Sequence, residues 1–103
     1  QNLLNFHCLV DHQASKLAKL LSFLKASKGQ RMIIFFATCA SVEFHYYILP
    51  KLAGEGMTCS KLHRKIDQKK RTKIYRQFKG EEKNSEKNQV LLTTDLAARG
   101  IDI

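Results

Sequence analysis

The stretch richest in residues that can do chemistry runs Thr93-Thr94-Asp95-Leu96-Ala97-Ala98-Arg99-Gly100-Ile101-Asp102. Hydroxyls and backbone amides that follow a strand can hold phosphate oxygens, and Gly100 would let another surface approach the backbone closely. The Arg99 guanidinium can pair with a carboxylate or phosphate, and Asp102 can accept hydrogen bonds from ribose hydroxyls. The competing reading is a turn in which Asp and Thr cap local backbone and Arg99 sits in a structural ion pair. A second grouping is Gln68 with Arg71. Three apart near the start of a predicted helix, they are neighbours on one face. A helix N-terminus already favours anions, and a guanidinium beside it strengthens a phosphate site. Lys65, Lys69, Lys70 and Lys73 raise the local potential further. The alternative is a solvated basic face on a helix buried through Ile74 and Phe78.

Thr38, placed after an apolar run, can reach a phosphate or act as a plain helix cap. His63 is expected to be a hydrogen-bonded structural residue rather than a base or a metal ligand. The aromatics Phe35, Phe36, Phe44, Tyr46 and Tyr47 are assigned to core and helix packing. No nucleophile–base pair, no paired catalytic carboxylates and no G-x-x-x-x-G-K-[ST] phosphate loop occur in these residues. A self-contained catalytic site is therefore not expected. The three cysteines, Cys8, Cys39 and Cys59, are widely spaced and odd in number, which fits reduced thiols in a reducing, intracellular compartment. Without CxxC or HxxxH spacing, no zinc or other metal site is expected.

Positioning these groups falls to an alternation of strands and helices. Phe6 to Val10 suits a strand, after which Asp11 can cap a helix with Leu17, Leu20, Leu21 and Leu24 on one buried stripe. Gly29 is a plausible stop. Met32 to Ala37 is apolar without alternation, as expected of a central parallel strand covered on both faces. Thr38 or Ser41 starts a second helix with Val42, Phe44, Tyr47 and Ile48 on its apolar side, and the helix is expected to kink or end near Pro50. Thr58 to His63 is a third strand. Asp67 caps a third helix, which buries Ile74, Tyr75 and Phe78 and ends at Gly80. A loop or insertion occupies about 80–88, and Gln89 to Thr94 returns to a strand. The pattern predicts an α/β fold: a parallel sheet with helices on both faces and right-handed crossovers. Such sheets bind ligands beyond the carboxyl ends of their strands, which directs attention to Thr38, His63 and the segment from Thr94 to Asp102.

The chain has 103 residues, enough for one small domain. It begins with Gln1, which suggests an excised piece or a processed product. No apolar run is long enough to span a membrane, and nothing at the start reads as a signal peptide. The formal net charge is +9, a field that attracts phosphate backbones and repels basic partners.

Three segments, in order, carry a family resemblance. Ile33-Ile34-Phe35-Phe36-Ala37-Thr38 resembles motif IV of DEAD-box RNA helicases, Gln68-Lys69-Lys70-Arg71 their QxxR motif, and Thr94 to Asp102 their motif V almost residue for residue. The resemblance implies the second, RecA-like C-terminal domain of an ATP-dependent helicase, which closes with a first RecA-like domain in cis on ATP and on single-stranded or structured RNA. By motif position, Thr38, Gln68, Arg71 and Thr94 would contact the RNA backbone. Asp102, with Gly100 beside it, would face the ATP ribose, and Arg99 would help order the interdomain surface. Mg2+ would be held mainly by the first domain. Arg64 follows His63 where the family usually has glycine, and it can add a phosphate contact. Motif VI is not among these residues, so the resemblance implies a domain that is incomplete within 1–103. Phe35 to Cys39 followed by Val42 to Tyr46 looks like the ribosome-biogenesis branch, implying pre-ribosomal RNA and a nucleolar or nuclear address. Two other classes stay open: a non-catalytic RNA- or protein-binding module that retains the fold, and a related DNA-directed motor.

Overall fold

The computed structural model describes residues 4–9, 14–26, 28–80, 87–94 and 97. Within them the order is β1 (Leu4–Leu9), α1 (Ala14–Ala26), β2 (Arg31–Phe36), α2 (Cys39–Ala53), a 3-10 turn (Gly54–Gly56), β3 (Met57–Leu62), α3 (Gln68–Gly80) and β4 (Asn88–Thr94). All pairings are parallel, and the strand order is β1-β2-β4-β3. Each predicted strand and helix is present, with boundaries shifted by a few residues. The expected cap Asp11 and most of the expected loop at 80–88 lie outside the described residues.

Side-chain alternation along the strands divides the core in two. Met32, Ile34, Phe36, Val90 and Leu92 point to one face, where they meet Leu20 and Leu24 of α1 and Val42 and Leu49 of α2. Ile33 and Leu91 point to the other and meet Phe78 of α3, with Ile74 and Tyr75 packed alongside. The sheet is therefore covered on both faces, and its two central strands are buried along nearly their whole length. Gly29, with φ 67°, supplies the left-handed turn between α1 and β2.

Helix α2 differs from the sequence expectation. Its buried residues are Ser41, Val42, His45 and Leu49, whereas Phe44 and Tyr47 are 52% and 65% exposed and Tyr46 is also exposed. The reason is geometric: residues two apart on a helix are rotated by about 200°, so Phe44 cannot share the Val42 face. The position between Val42 and Leu49 belongs to His45. Its Nδ1 donates to the Ser41 carbonyl at 2.8 Å, and its ring stacks on Phe36 with centroids 4.4 Å apart. The helix ends at Ala53, three residues beyond Pro50, in keeping with an expected end near the proline. Pro50 cannot donate to the carbonyl one turn back, and its ring crowds that carbonyl, which favours termination within the next turn. Gly54, at φ 76°, then closes the helix by donating its N–H to the Pro50 carbonyl.

One buried polar residue ties the layers together. Asn88, 1% exposed at the start of β4, donates Nδ2–H to the Leu24 carbonyl at 2.9 Å and accepts from the Gln30 N–H at 3.0 Å. It satisfies an orphan carbonyl near the end of α1 and an amide at the entry to β2. Asn88→Ala removes both bonds, the buried one to Leu24 and the part-buried one to Gln30, each a loss of about 1–2 kcal/mol. The expected outcome in urea denaturation is a fall in stability of about 2–4 kcal/mol with the slope unchanged.

Candidate nucleic-acid interface

Parallel strands place all their carboxyl ends on one edge of the sheet. The residues just beyond β2, β3 and β4 meet there around a cavity of about 590 Å³. Its lining brings together Thr38, Arg64 and Thr94, which stand 26 and 30 residues apart in sequence order, with Phe36, Cys39 and Lys65 among their neighbours. Phe36 and Thr94 are partners in the sheet register, which fixes one wall.

Local hydrogen bonding sets each group. Thr38 has extended backbone (φ −135°, ψ 158°) and is the N-cap of α2: its Oγ1 accepts from the Ser41 N–H at 3.0 Å. It also donates to the Ser41 hydroxyl at 3.2 Å. Thr94 acts similarly at the end of β4, where its Oγ1 accepts from the Ala97 N–H at 3.3 Å. The neighbouring Thr93 takes no part, because alternation turns it into the core; it is fully buried and donates to the Thr94 carbonyl.

Arg64 and Lys65 are the corner residues of a turn closed by the Ile66 N–H donating to the His63 carbonyl at 2.9 Å. Both are exposed. Just beyond the turn, Asp67 caps α3 by accepting from the Lys69 N–H at 3.2 Å. Gln68 and Arg71 sit together on the first turn, with the Arg71 Nη2 donating to Gln68 Oε1. They do not line the cavity but stand on the helix that leaves it. No carboxylate pairs with Arg71 among the described residues, and its buried Nε has no hydrogen-bond partner there. From Arg64 to Lys79 the cations Arg64, Lys65, Lys69, Lys70, Arg71, Lys73, Arg76 and Lys79 outweigh the single acid Asp67. Cations in a first helical turn oppose the helix dipole, so the bare arrangement is electrostatically unfavourable and an approaching anion relieves it. Arg99, Gly100 and Asp102 lie outside the described residues.

A cluster that sequence reasoning missed lies on the α2 side. Glu43 receives Lys61 on both oxygens, at 2.7 and 3.0 Å, and His63 Nε2 lies 2.6 Å from its Oε2. His63 is buried, and its Nδ1 accepts from the Lys65 N–H at 3.3 Å. With Nδ1 accepting, the ring proton is on Nε2 and is donated to Glu43. His63 is thus a structural residue, as expected, and its partner is 20 residues away. Lys61 lies over the Tyr46 ring at 4.8 Å. Hydrogen bonding from Lys61 first, then His63, holds the Glu43 carboxyl below its ordinary value. Burial pushes the Cys59 thiol up to about 12, which keeps it protonated and unreactive. Cys39 is likewise a free thiol. Among the described residues no group of three His, Cys, Asp or Glu side chains can hold a metal, and no helix is long and apolar enough to cross a membrane.

A parallel sheet covered on both faces, with basic residues beyond its strand ends, fits a RecA-like helicase C-terminal domain, and the chain belongs to the helicase conserved C-terminal domain family, whose model matches residues 14–103. Its relatives are DEAD-box helicases. It is 38% identical over 97 residues to DEAD-box ATP-dependent RNA helicase 51 of Arabidopsis thaliana, covering 94% of this chain and 16% of that protein. Identity to ATP-dependent rRNA helicase SPB4 of Gibberella zeae is 44% over 87 residues, covering 84% of this chain and 13% of that protein. The SPB4 helicase of Saccharomyces cerevisiae is 37% identical over 102 residues, covering 94% and 16%. The chain thus spans 16% or less of the length of these relatives.

The depressed Glu43 titration carries a sign. Its ion pairs stabilise the fold above the ordinary carboxyl value of 4.5 and are lost as pH falls through the lower folded value. Glu43→Gln should therefore flatten the acid limb of the stability–pH curve below pH 4.5, measured by urea midpoints. An unchanged acid limb would mean the carboxylate gains nothing from its two partners.

Proposed function

We propose that this chain supplies the RNA-gripping, ATP-site-completing half of an ATP-dependent RNA helicase that remodels ribosomal RNA precursors. The observation that carries the reading is the meeting of Thr38, Arg64 and Thr94 around one cavity at the strand ends, beside the basic first turn of α3. Two hydroxyls and two flexible cations suit phosphate oxygens and contain no group arranged to read a base edge, so binding would follow the backbone and ignore sequence. Arg71 and Gln68 would extend the track along α3. With no carboxylate on Arg71 among the described residues, its charge is available to a phosphate.

Motif V supports the nucleotide half of the reading: Asp102 with Gly100 would accept from the ATP ribose, and Arg99 would order the face that meets the first domain. Mg2+ and the phosphate chemistry would belong mainly to that first domain. Gripping and release would follow closure and reopening of the two domains around ATP, so this chain contributes binding and orientation while the cleavage step lies elsewhere. The rRNA helicase names of several relatives favour pre-ribosomal RNA as substrate and a nucleolar or nuclear location.

Arg71→Ala is expected to weaken oligouridine RNA binding and to reduce the slope of log affinity against log salt by about 1, the signature of one lost phosphate contact. A wild-type slope would remove Arg71 from the track. In the full-length protein, Asp102→Ala should raise the ATP concentration needed for RNA-stimulated hydrolysis while leaving the fold intact. Unchanged nucleotide affinity would refute the ribose role. Absence of RNA-stimulated turnover in folded wild-type protein would favour a non-catalytic binding module instead.

A further inference from the structure

We infer that Glu43 is a positioning residue for the turn that carries Arg64 and Lys65: acting through His63, it fixes both cations at the cavity without touching the ligand. The inference rests on the RNA-backbone reading of that cavity. The chain of contacts is continuous. Lys61 and His63 are two apart at the end of β3 and so face the same side of the sheet, the side covered by α2. Glu43 on α2 meets both, through Oε1 and Oε2 to Lys61 and through Oε2 to His63. His63 donates Nε2–H to Glu43, and its Nδ1 accepts the Lys65 N–H. The same residue's carbonyl takes the Ile66 N–H. One histidine therefore closes the turn with both its backbone and its ring, as Asx side chains do in turns of their own. If Glu43 is lost, only the Lys65 N–H still favours this tautomer, and the Nε2 side of the ring is no longer held. A proton on Nδ1 would then turn an acceptor for the Lys65 amide into a donor facing a donor.

Two features give this arrangement an effect on binding. His63 is buried while Arg64 and Lys65 are exposed, so the turn is anchored only from beneath. Arg64 occupies the corner beside His63, and a long side chain loses less freedom on binding when its backbone is already held.

The test exploits a difference in sign. Glu43 is a negative charge near a site for an anion. Were charge its only role, removing it by Glu43→Ala or by Glu43→Gln would tighten RNA binding equally. Positioning predicts a split: Gln keeps an oxygen that accepts the His63 Nε2–H, and Ala does not. With fluorescein-labelled oligouridine as the probe, anisotropy titrations should show Glu43→Ala weaker than wild type by about threefold to tenfold, the equivalent of one net hydrogen bond. Glu43→Gln should recover most of that loss. Equal affinities for the two variants, or tighter binding by Glu43→Ala, would overturn the proposal. Hydrogen exchange of the Lys65 amide gives a reading that needs no RNA: exchange should accelerate in Glu43→Ala and stay slow in Glu43→Gln. If exchange follows this pattern while an Arg64→Ala, Lys65→Ala double variant binds RNA as wild type does, then the RNA reading of the cavity fails and the ligand role of Glu43 fails with it. If exchange is the same in all forms, Glu43 does not hold the turn.

Discussion

The insertion of β4 between β2 and β3 is the constraint on which the interface depends. β4 pairs on both sides and is covered by helices on both faces, so it is buried over all seven of its residues. The slot exists because α2 carries the chain from β2 past it to β3, and α3 returns the chain on the opposite face to fill it with β4. Since every strand runs the same way, the exits of β2, β3 and β4 lie side by side. Thr38, the turn after His63, and Thr94 are neighbours for that reason and not because of any attraction between them. At the opposite edge Asn88 holds the entry of β4 to the end of α1 and the approach to β2, so the register that aligns the exits is locked from the other side.

Charge is distributed just as unevenly. Most of the excess of cations sits in the turn after β3 and along α3, where the first turn has no acid among its own residues. Such a concentration lowers stability through self-repulsion, and a polyanion lying along the helix relieves it. Glu43, behind the turn, is engaged by Lys61 and His63, so its negative charge is largely offset locally.

The outer face of α2 shows how packing and exposure part company. Phe44 and Tyr47 are large and apolar, yet they face solvent, while a histidine and a serine take core positions. His45 can be buried because the Ser41 carbonyl receives its Nδ1–H and Phe36 stacks on its ring, so no polar atom is stranded on that side.

The sequence alone determined the order of elements, the parallel sheet and the membership of the family, because periodicity and turn chemistry act over a few residues and the motif strings are local. It also marked Thr38 and Thr94 as candidates, through the rule that ligands gather beyond strand ends, and Arg64 through the family resemblance. It misjudged α2, where aromatic size outweighed the helical angle, and it gave no sign of Asn88 or of the link from Glu43 to His63. Those features join residues 18 to 64 positions apart. Only the crossing of α2 over β3 and the centring of β4 bring such residues within hydrogen-bond reach, because a side chain's partner depends on which face of which strand it occupies, and that is settled by the assembled sheet.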